Sequence, residues 1–300
     1  MLNDFRLRSR KLDFLVKSTL LKKKSDLISS GKIKKNYLNN LQEASKRLLL
    51  SSIIGTSKKL INDVSFEGVL NYIEKKGLPK NITHNGMVIP RKENSLEYNI
   101  FLKSFLQFLS YTKLDKKIEY FISPPQLRIK LPKKNLLANA SEYIHSDAWT
   151  NHNTSKSYTL YVPIFGDTKK NYVKFYKPKT KLFNSIWLRP KKFVEGKIIG
   201  KKYINAKVNY SIGNFIVTDC ATLHQTIVNK NAGSRVSMDI AFIAKNTFDK
   251  KTIACHIKSK ELEDVGYKKI IIFKDKFSDN LKKILNRKKH SLENKKILKI

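Results

Sequence analysis

Two histidines and one aspartate have the spacing that a metal site requires. His145 and Asp147 are separated by one residue, and side chains two positions apart on a strand point to the same face. His224 follows a strand-like segment that begins after Gly213. Two imidazoles and one carboxylate on one face of an iron(II) ion leave three coordination positions open, as in non-haem iron oxygenases. The sequence therefore predicts a metal site formed by His145, Asp147 and His224.

A second polar pair follows these predicted ligands. Arg235 and Ser237 open a segment, 235–244, whose alternation sends both side chains to one face and Val236 and Met238 to the other. A guanidinium binds a carboxylate through two parallel hydrogen bonds, and a nearby hydroxyl adds a third. We therefore predict that Arg235 and Ser237 bind the far carboxylate of a dicarboxylate co-substrate.

Each of these residues has an ordinary alternative when it is taken alone. A single histidine is more often a surface or core residue than a ligand, and a single arginine most often pairs with an acid. Zinc hydrolases also use two histidines and a carboxylate, but usually within H-E-x-x-H on a helix, and that motif is absent from the sequence. The ordered combination of H-x-D, a later histidine and R-x-S favours the functional interpretation.

Four further residues are candidates for binding. Arg128 lies on a predicted strand, where it could reach the co-substrate or an anionic substrate, or form an ion pair at the barrel rim; both alternatives stay open. Trp149 and Asn151 follow the predicted metal strand, and Thr159 lies on the next strand. We predict that all three contact the substrate: Trp149 and Asn151 from a loop at the barrel mouth, and Thr159 from the wall of the pocket. A Trp face suits stacking on a sugar ring. The alternative for Trp149 is that it covers one end of the barrel.

The elements that position these residues differ between the two halves of the chain. Residues 1–115 carry apolar side chains at helical spacing and predict a helical N-terminal region, with Ser65 as a helix cap. Residues 116–248 contain short segments of alternating polarity, which predict a small barrel or jelly roll of about seven or eight strands. These segments are Gln126–Lys130, Glu142–Ala148, Tyr158–Pro163, Tyr172–Tyr176, Ala206–Tyr210, Asn214–Asp219 and Arg235–Ala244. Residues 249–300 read as a basic C-terminal extension.

The charge of the chain has two interpretations. The 300 residues carry a formal net charge of +37, contributed by 52 lysines and only 9 arginines. Arginine is the better reader of phosphates and guanines, because its planar fork binds them through two hydrogen bonds. The lysines are spread over the whole chain, so we expect a solvated basic surface. An acidic partner such as nucleic acid is the alternative.

Composition also limits the compartment. No apolar stretch reaches the roughly 18–20 residues of a membrane span, and the N-terminus lacks the pattern of a signal peptide. Cys220 and Cys255 form no C-x-x-C pair, so we expect reduced thiols and no zinc–sulfur site. We expect a soluble, cytoplasmic protein.

The segment Ser141–Phe242 resembles the double-stranded β-helix core of the iron(II)/2-oxoglutarate-dependent dioxygenases. The similar stretches are Gly213–Asp219, Leu223–Thr226, Asn229 and Arg235–Asp239, and the resemblance covers about a third of the chain. The closer resemblance is to a branch that includes phytanoyl-CoA-hydroxylase-like proteins and oxygenases of aminoglycoside-type and surface-carbohydrate clusters. His145–Trp149, preceded by Arg128–Pro132, is similar to the carbohydrate-cluster group.

The resemblance implies an α+β fold, with a jelly-roll, cupin-like core and a helical layer packed on it. It implies that His145, Asp147 and His224 bind iron, and that Arg235 and Ser237 bind the C5 carboxylate of 2-oxoglutarate. The implied reaction consumes dioxygen, releases succinate and carbon dioxide, and by default hydroxylates a small, carbohydrate-related metabolite. Desaturation, epimerisation and ring closure remain open as outcomes. The alternatives are an oxygenase acting on nucleic acid or protein, a non-catalytic cupin-like binding module, and a basic nucleic-acid-binding structural protein.

Overall fold

The computed structural model describes most of the N-terminal helical region and most of the strand-rich region. The described residues are 2–54, 65–78, 82, 86–88, 94–121, 125–132, 142–149, 157–180, 195–247 and 257–258. The predicted contact Asn151, Cys255 and almost all of the C-terminal extension lie outside these residues.

The described part of the N-terminal region contains four long helices. They are α1 (Leu2–Val16), α2 (Lys35–Ile54), α3 (Phe66–Lys76) and α4 (Ser95–Thr112). Ser65 caps α3 as predicted, because its hydroxyl accepts the N–H of Gly68 at 3.0 Å. A short helix, α5 (Gly196–Gly200), lies within the strand-rich region. Among the described residues, no helix combines the length and apolar character that a bilayer crossing requires.

Twelve strands lie within the described residues. In chain order they are β1 (Lys22–Ser25), β2 (Ile28–Lys32), β3 (Met87–Val88), β4 (Ile118–Phe121), β5 (Leu127–Lys130), β6 (Tyr158–Gly166), β7 (Asn171–Pro178), β8 (Tyr203–Asn205), β9 (Asn214–Asp219), β10 (His224–Val228), β11 (Arg235–Ala244) and β12 (Ile257–Lys258).

The strands form two antiparallel sheets. The larger sheet has the order β1-β2-β9-β6-β11-β4-β12, with β5 also paired to β11 and β3 paired to β5. The smaller sheet has the order β10-β7-β8. From β6 onward the chain passes from one sheet to the other and back, which is the winding of a jelly roll. The predicted fold class, a jelly-roll core with a helical layer, is confirmed.

Side chains alternate between the two faces of the central strands, and each face packs into a different hydrophobic core. One face of β6 and β11 packs against the N-terminal helices, and it includes Leu160, Val236 and Met238. The opposite face lies between the sheets, where Tyr161 packs with Phe175 and other apolar residues. Because successive side chains point to opposite faces, Arg235 and Ser237 are directed away from the helices, toward the space between the two sheets.

The N-terminal region is less helical than predicted, because β1 and β2 form a hairpin that extends the larger sheet. Both strands lack the hydrophobic alternation that signals a strand: β1 reads KKKS and β2 reads ISSGK. Gly31 allows the close approach, since a Cβ there would lie 2.4 Å from the Phe215 ring. The predicted strand at Ala206–Tyr210 was also wrong; β8 ends just before it. The predicted boundaries near residues 115 and 248 stay predictions.

Candidate metal centre

His145 and His224 are brought together by an isolated pair of backbone hydrogen bonds. The N–H of His145 donates to the carbonyl of His224 at 3.0 Å, and the reverse bond measures 2.8 Å. The two ring centroids lie 4.2 Å apart. The predicted strand Glu142–Ala148 was wrong, because only this bridge forms before a 3-10 turn begins at Asp147. This turn, and not a strand, directs the Asp147 side chain toward the two histidines.

The three predicted ligands converge. Their candidate ligand atoms all lie within 4.8 Å of one another, and Oδ1 of Asp147 lies 3.6 Å from Nε2 of His224. His145, Asp147 and His224 form a candidate metal centre. Two imidazoles and one carboxylate are a suitable ligand set for a divalent transition metal.

Backbone carbonyls fix the orientation of both imidazoles. Nδ1 of His145 lies 2.8 Å from the carbonyl oxygen of Tyr143, and Nδ1 of His224 lies 3.1 Å from that of Thr222. A carbonyl only accepts, so the neutral tautomer that satisfies it carries its proton on Nδ1. Nε2 then keeps its lone pair for a metal ion. The sequence pattern did not reveal these two carbonyls, since any residue supplies one.

The protonation states of the candidate metal centre suit a cation. Burial and the neighbouring charge of His224 lower the pKa of His145 to about 4, although Asp147 acts in the opposite direction. Burial acts to raise the pKa of Asp147, but the two imidazoles and a hydrogen bond from Thr159 outweigh it and hold that pKa below its ordinary value. At neutral pH His145 is therefore neutral and Asp147 ionised, as metal binding requires.

Two of the predicted substrate contacts have partners inside the protein. Thr159 donates from its hydroxyl to Oδ2 of Asp147 at 3.0 Å, so it orients a candidate ligand; contact with a substrate stays a prediction. Trp149 is only 1% exposed and packs with Tyr203 and Leu223. Little of the ring is exposed, and contact of Trp149 with a substrate stays a prediction. The alternative interpretation, a Trp that closes one end of the barrel, agrees with this packing.

Buried hydrogen-bond donors without partners lie on the strands that face the centre. Arg235 is 2% exposed and Ser237 is fully buried. Among the described residues, Nε and Nη1 of Arg235 form no hydrogen bond, and neither Oγ of Ser237 nor the hydroxyl of Tyr161 makes one of good geometry. The Arg235 guanidinium lies 5.5 Å from the centroid of the Tyr161 ring. Buried polar groups are normally satisfied, and a buried cation without a partner is costly. This arrangement therefore fits a buried anion with several acceptor oxygens.

Two other cations of the same region are paired with carboxylates. Nε of Arg128 lies 3.4 Å from Oδ2 of Asp239, with both side chains partly exposed. Lys130 and Glu142 form a more buried pair at 2.7 Å. The structure thus places Arg128 in the ion pair that was one of its two predicted roles. Its charge still reaches the centre, where it contributes to lowering the pKa of His145. Binding of a co-substrate by Arg128 stays a prediction.

Three solved structures illustrate what the chain is similar to. The non-heme alpha ketoglutarate dependent epimerase SnoN from nogalamycin biosynthesis is 12% identical, with 84% of this chain and 88% of that chain covered and a TM-score of 0.42. EctD from S. alaskensis is 14% identical, with 75% and 76% covered and a TM-score of 0.41. An N-substituted L-amino acid dioxygenase from Burkholderia ambifaria AMMD is 11% identical, with 72% and 82% covered and a TM-score of 0.37.

No protein-family model matches the chain, and no curated protein sequence matches it either. The fold class and the candidate metal centre therefore rest on the strand topology and side-chain geometry of this chain.

Proposed function

We propose that this protein is an iron(II)- and 2-oxoglutarate-dependent oxygenase. The observation that carries the proposal is the pairing of two features between the sheets: the candidate metal centre, and the buried donors of Arg235, Ser237 and Tyr161. A metal-free binding module needs neither a converged ligand set nor a buried guanidinium with two nitrogens that lack hydrogen bonds.

Zinc hydrolases use the same donor set, so iron is favoured by the buried donors of Arg235 and Ser237, which suit a dicarboxylate co-substrate. Two histidines and one carboxylate leave three positions of an octahedral ion for exogenous ligands. His145, Asp147 and His224 would hold the iron, and Arg235 and Ser237 would hold 2-oxoglutarate beside it. Iron and 2-oxoglutarate, when bound, supply the oxidising power for substrate oxidation with release of succinate and carbon dioxide.

The residues of this chain have distinct roles in the proposed reaction. Arg235 binds the distal carboxylate through its fork, and Ser237 donates a further hydrogen bond. Arg128, with its partner Asp239, lines the approach to the centre and helps to hold anionic groups there. The neutral His145 and the ionised Asp147 bind the metal without needing to lose a proton at neutral pH.

We further propose that the substrate is a small metabolite related to a sugar or surface-carbohydrate intermediate, and that the enzyme acts in the cytoplasm. The support is the sequence resemblance around His145–Trp149. The net charge of +37 favours a second candidate, an oxygenase acting on nucleic acid or another acidic macromolecule. Hydroxylation is the default outcome, with desaturation, epimerisation and ring closure as alternatives.

The test is metal-dependent turnover of 2-oxoglutarate by the full chain. We expect anaerobic iron(II) binding and, after addition of oxygen and 2-oxoglutarate, slow succinate formation even without substrate. Asp147→Ala should abolish both, while Asp13→Ala, which removes an exposed carboxylate paired with Lys23, should leave both unchanged. Iron binding by Asp147→Ala with wild-type affinity, or the absence of succinate from the iron-loaded wild-type protein, would refute the proposal.

A further inference from the structure

We infer that Glu74 is a positioning residue for co-substrate binding, and that it acts by holding the backbone from which the Arg235 side chain extends. The inference rests on the proposed function, since it takes Arg235 as the residue that binds 2-oxoglutarate. Glu74 lies on α3, in the helical layer, and the sequence pattern did not identify it as a candidate.

The central contact joins the helical layer to the start of β11. Oε1 of Glu74 accepts the N–H of Ser234 at 2.6 Å, across 160 residues of chain. A carboxylate that accepts a backbone N–H forms a charge-assisted bond, which is stronger than a bond between neutral groups. The helix is also packed on β6 at its first residue, because the Phe66 ring on α3 lies 4.8 Å from the Phe165 ring.

A second carboxylate holds the same backbone from the other side. Oδ2 of Asp167 accepts the N–H of Gly233 at 3.0 Å, and the N–H of Asp167 donates to the carbonyl of Ser234 at 2.9 Å. Nδ2 of Asn171 donates to the carbonyl of Gly233 at 3.0 Å. Residues 233 and 234 are thus held by groups from α3, the β6–β7 turn and β7.

The turn between β6 and β7 lies against this backbone without room for a side chain. Gly166 has a φ of +97°, and a Cβ there would lie 2.3 Å from the carbonyl oxygen of Ser234. The backbone that leads into Arg235 is therefore fixed from several directions, at the point where the Arg235 side chain enters the space between the sheets.

The chemistry explains why such fixation matters. The Arg235 side chain is buried, and two of its nitrogen atoms form no hydrogen bond, so side-chain hydrogen bonds do little to orient it. Binding a carboxylate through a guanidinium fork depends on orientation, and small errors in placement weaken it. Backbone hydrogen bonds at the preceding residues supply the orientation that side-chain partners do not.

The experiment measures 2-oxoglutarate binding to the full chain loaded with manganese(II), which occupies the metal site without turnover. We expect Glu74→Ala to raise the Kd for 2-oxoglutarate about tenfold. Glu74→Gln keeps an acceptor oxygen but no charge, so we expect a rise of about threefold. The amide proton of Ser234 should shift upfield in the NMR spectrum of both variants, because its hydrogen bond is lost or weakened.

Two controls separate positioning from general stability. Ile73→Val trims a core residue on the same helix without touching the Glu74 contact, and Glu67→Gln removes an exposed carboxylate from the same helix; both should keep the wild-type Kd. In an Arg235→Lys background, Glu74→Ala should weaken binding by much less than tenfold, since the guanidinium fork that it orients is gone.

The outcomes distinguish failure of the proposed function from failure of the positioning role of Glu74 alone. If wild-type protein binds manganese(II) but no 2-oxoglutarate, the proposed function fails and the positioning role fails with it. If wild type binds 2-oxoglutarate and Glu74→Ala binds it equally well, only the positioning role is overturned. The positioning role is also overturned if Ile73→Val raises the Kd as much as Glu74→Ala does. It is overturned too if Glu74→Ala raises the Kd by the same factor in the Arg235→Lys background as in the wild type.

Discussion

The hydroxyl of Thr159 donates a 3.0 Å hydrogen bond to Oδ2 of Asp147, which leaves Oδ1 directed toward the imidazole of His224. Thr159 lies on β6 in the larger sheet, whereas Asp147 lies in a short turn. Strand β6 thus orients the carboxylate of Asp147, which lies in a segment with little regular secondary structure.

Thr159→Val should weaken metal binding with the fold retained. Valine has the same shape but no hydroxyl, so Asp147 loses the group that orients it. Partners of metal ligands typically contribute ten- to a hundredfold to affinity, and we expect a loss of about that size in iron(II) or manganese(II) titrations under anaerobic conditions. Thr159→Ser keeps the hydroxyl and should bind metal nearly as well as wild type. Equal affinities of the valine and wild-type proteins would contradict the orienting role.

Arg235→Met should abolish 2-oxoglutarate binding without lowering the stability of the ligand-free protein. Methionine keeps much of the volume and removes a buried charge that lacks hydrogen-bond partners, and such replacements are often neutral or stabilising. We expect an unchanged melting temperature or a rise of about 2–4 °C. The stabilisation that 2-oxoglutarate gives to the manganese-loaded wild type should disappear.

The matched control is Arg10→Met, which removes an exposed arginine and should preserve the response to 2-oxoglutarate. A large drop in melting temperature for Arg235→Met would mean that Arg235 stabilises the ligand-free fold, contrary to our interpretation of its unsatisfied nitrogens.

Gly166→Ala should destabilise the protein far more than Gly77→Ala. Both glycines have positive φ, +97° and +80°, but a Cβ at Gly77 meets nothing within 4 Å, whereas one at Gly166 lies 2.3 Å from the Ser234 carbonyl oxygen. Gly77→Ala therefore measures the conformational cost alone, about 1 kcal/mol. We expect roughly 3 kcal/mol or more for Gly166→Ala, because the backbone must also shift. Urea unfolding of the two variants checks this, and equal losses would contradict the close approach.

Asp167 should contribute stability that disappears in acid. Burial acts to raise the pKa of Asp167, but the N–H groups of Gly233, Lys170 and Lys169 outweigh it and hold that pKa below the ordinary value of 3.8. A carboxyl group whose pKa is lower in the folded state stabilises the protein fully above its unfolded pKa, and the contribution is lost as pH falls through the folded pKa.

The measurement compares wild type with Asp167→Asn across pH. The variant should be less stable at pH 6, and the difference in melting temperature should narrow as pH falls below 3.8. A difference that stayed constant down to pH 3 would show that ionisation of Asp167 has no part in holding the turn.

Local patterns in the sequence predicted the central elements well. The predicted bounds of β9 and β11 agree with the structure, and Ser65 caps its helix, because alternation and capping depend on neighbouring residues. The predicted strand around His145 was wrong, since its ladder partner within the described residues is a single residue of β10. The hairpin β1–β2 was missed because edge strands of lysine, serine and glycine carry no hydrophobic signal.

The chemical types of the candidate site, two imidazoles, one carboxylate, a guanidinium and a hydroxyl, were determined by the sequence and its spacing alone. Only the tertiary structure decided that Thr159 orients Asp147, that Trp149 is buried, and that Glu74 contacts Ser234. The physical reason is distance along the chain. A strand's alternation follows from neighbouring residues, whereas a hydrogen bond across 160 residues exists only after two layers of the fold have packed together.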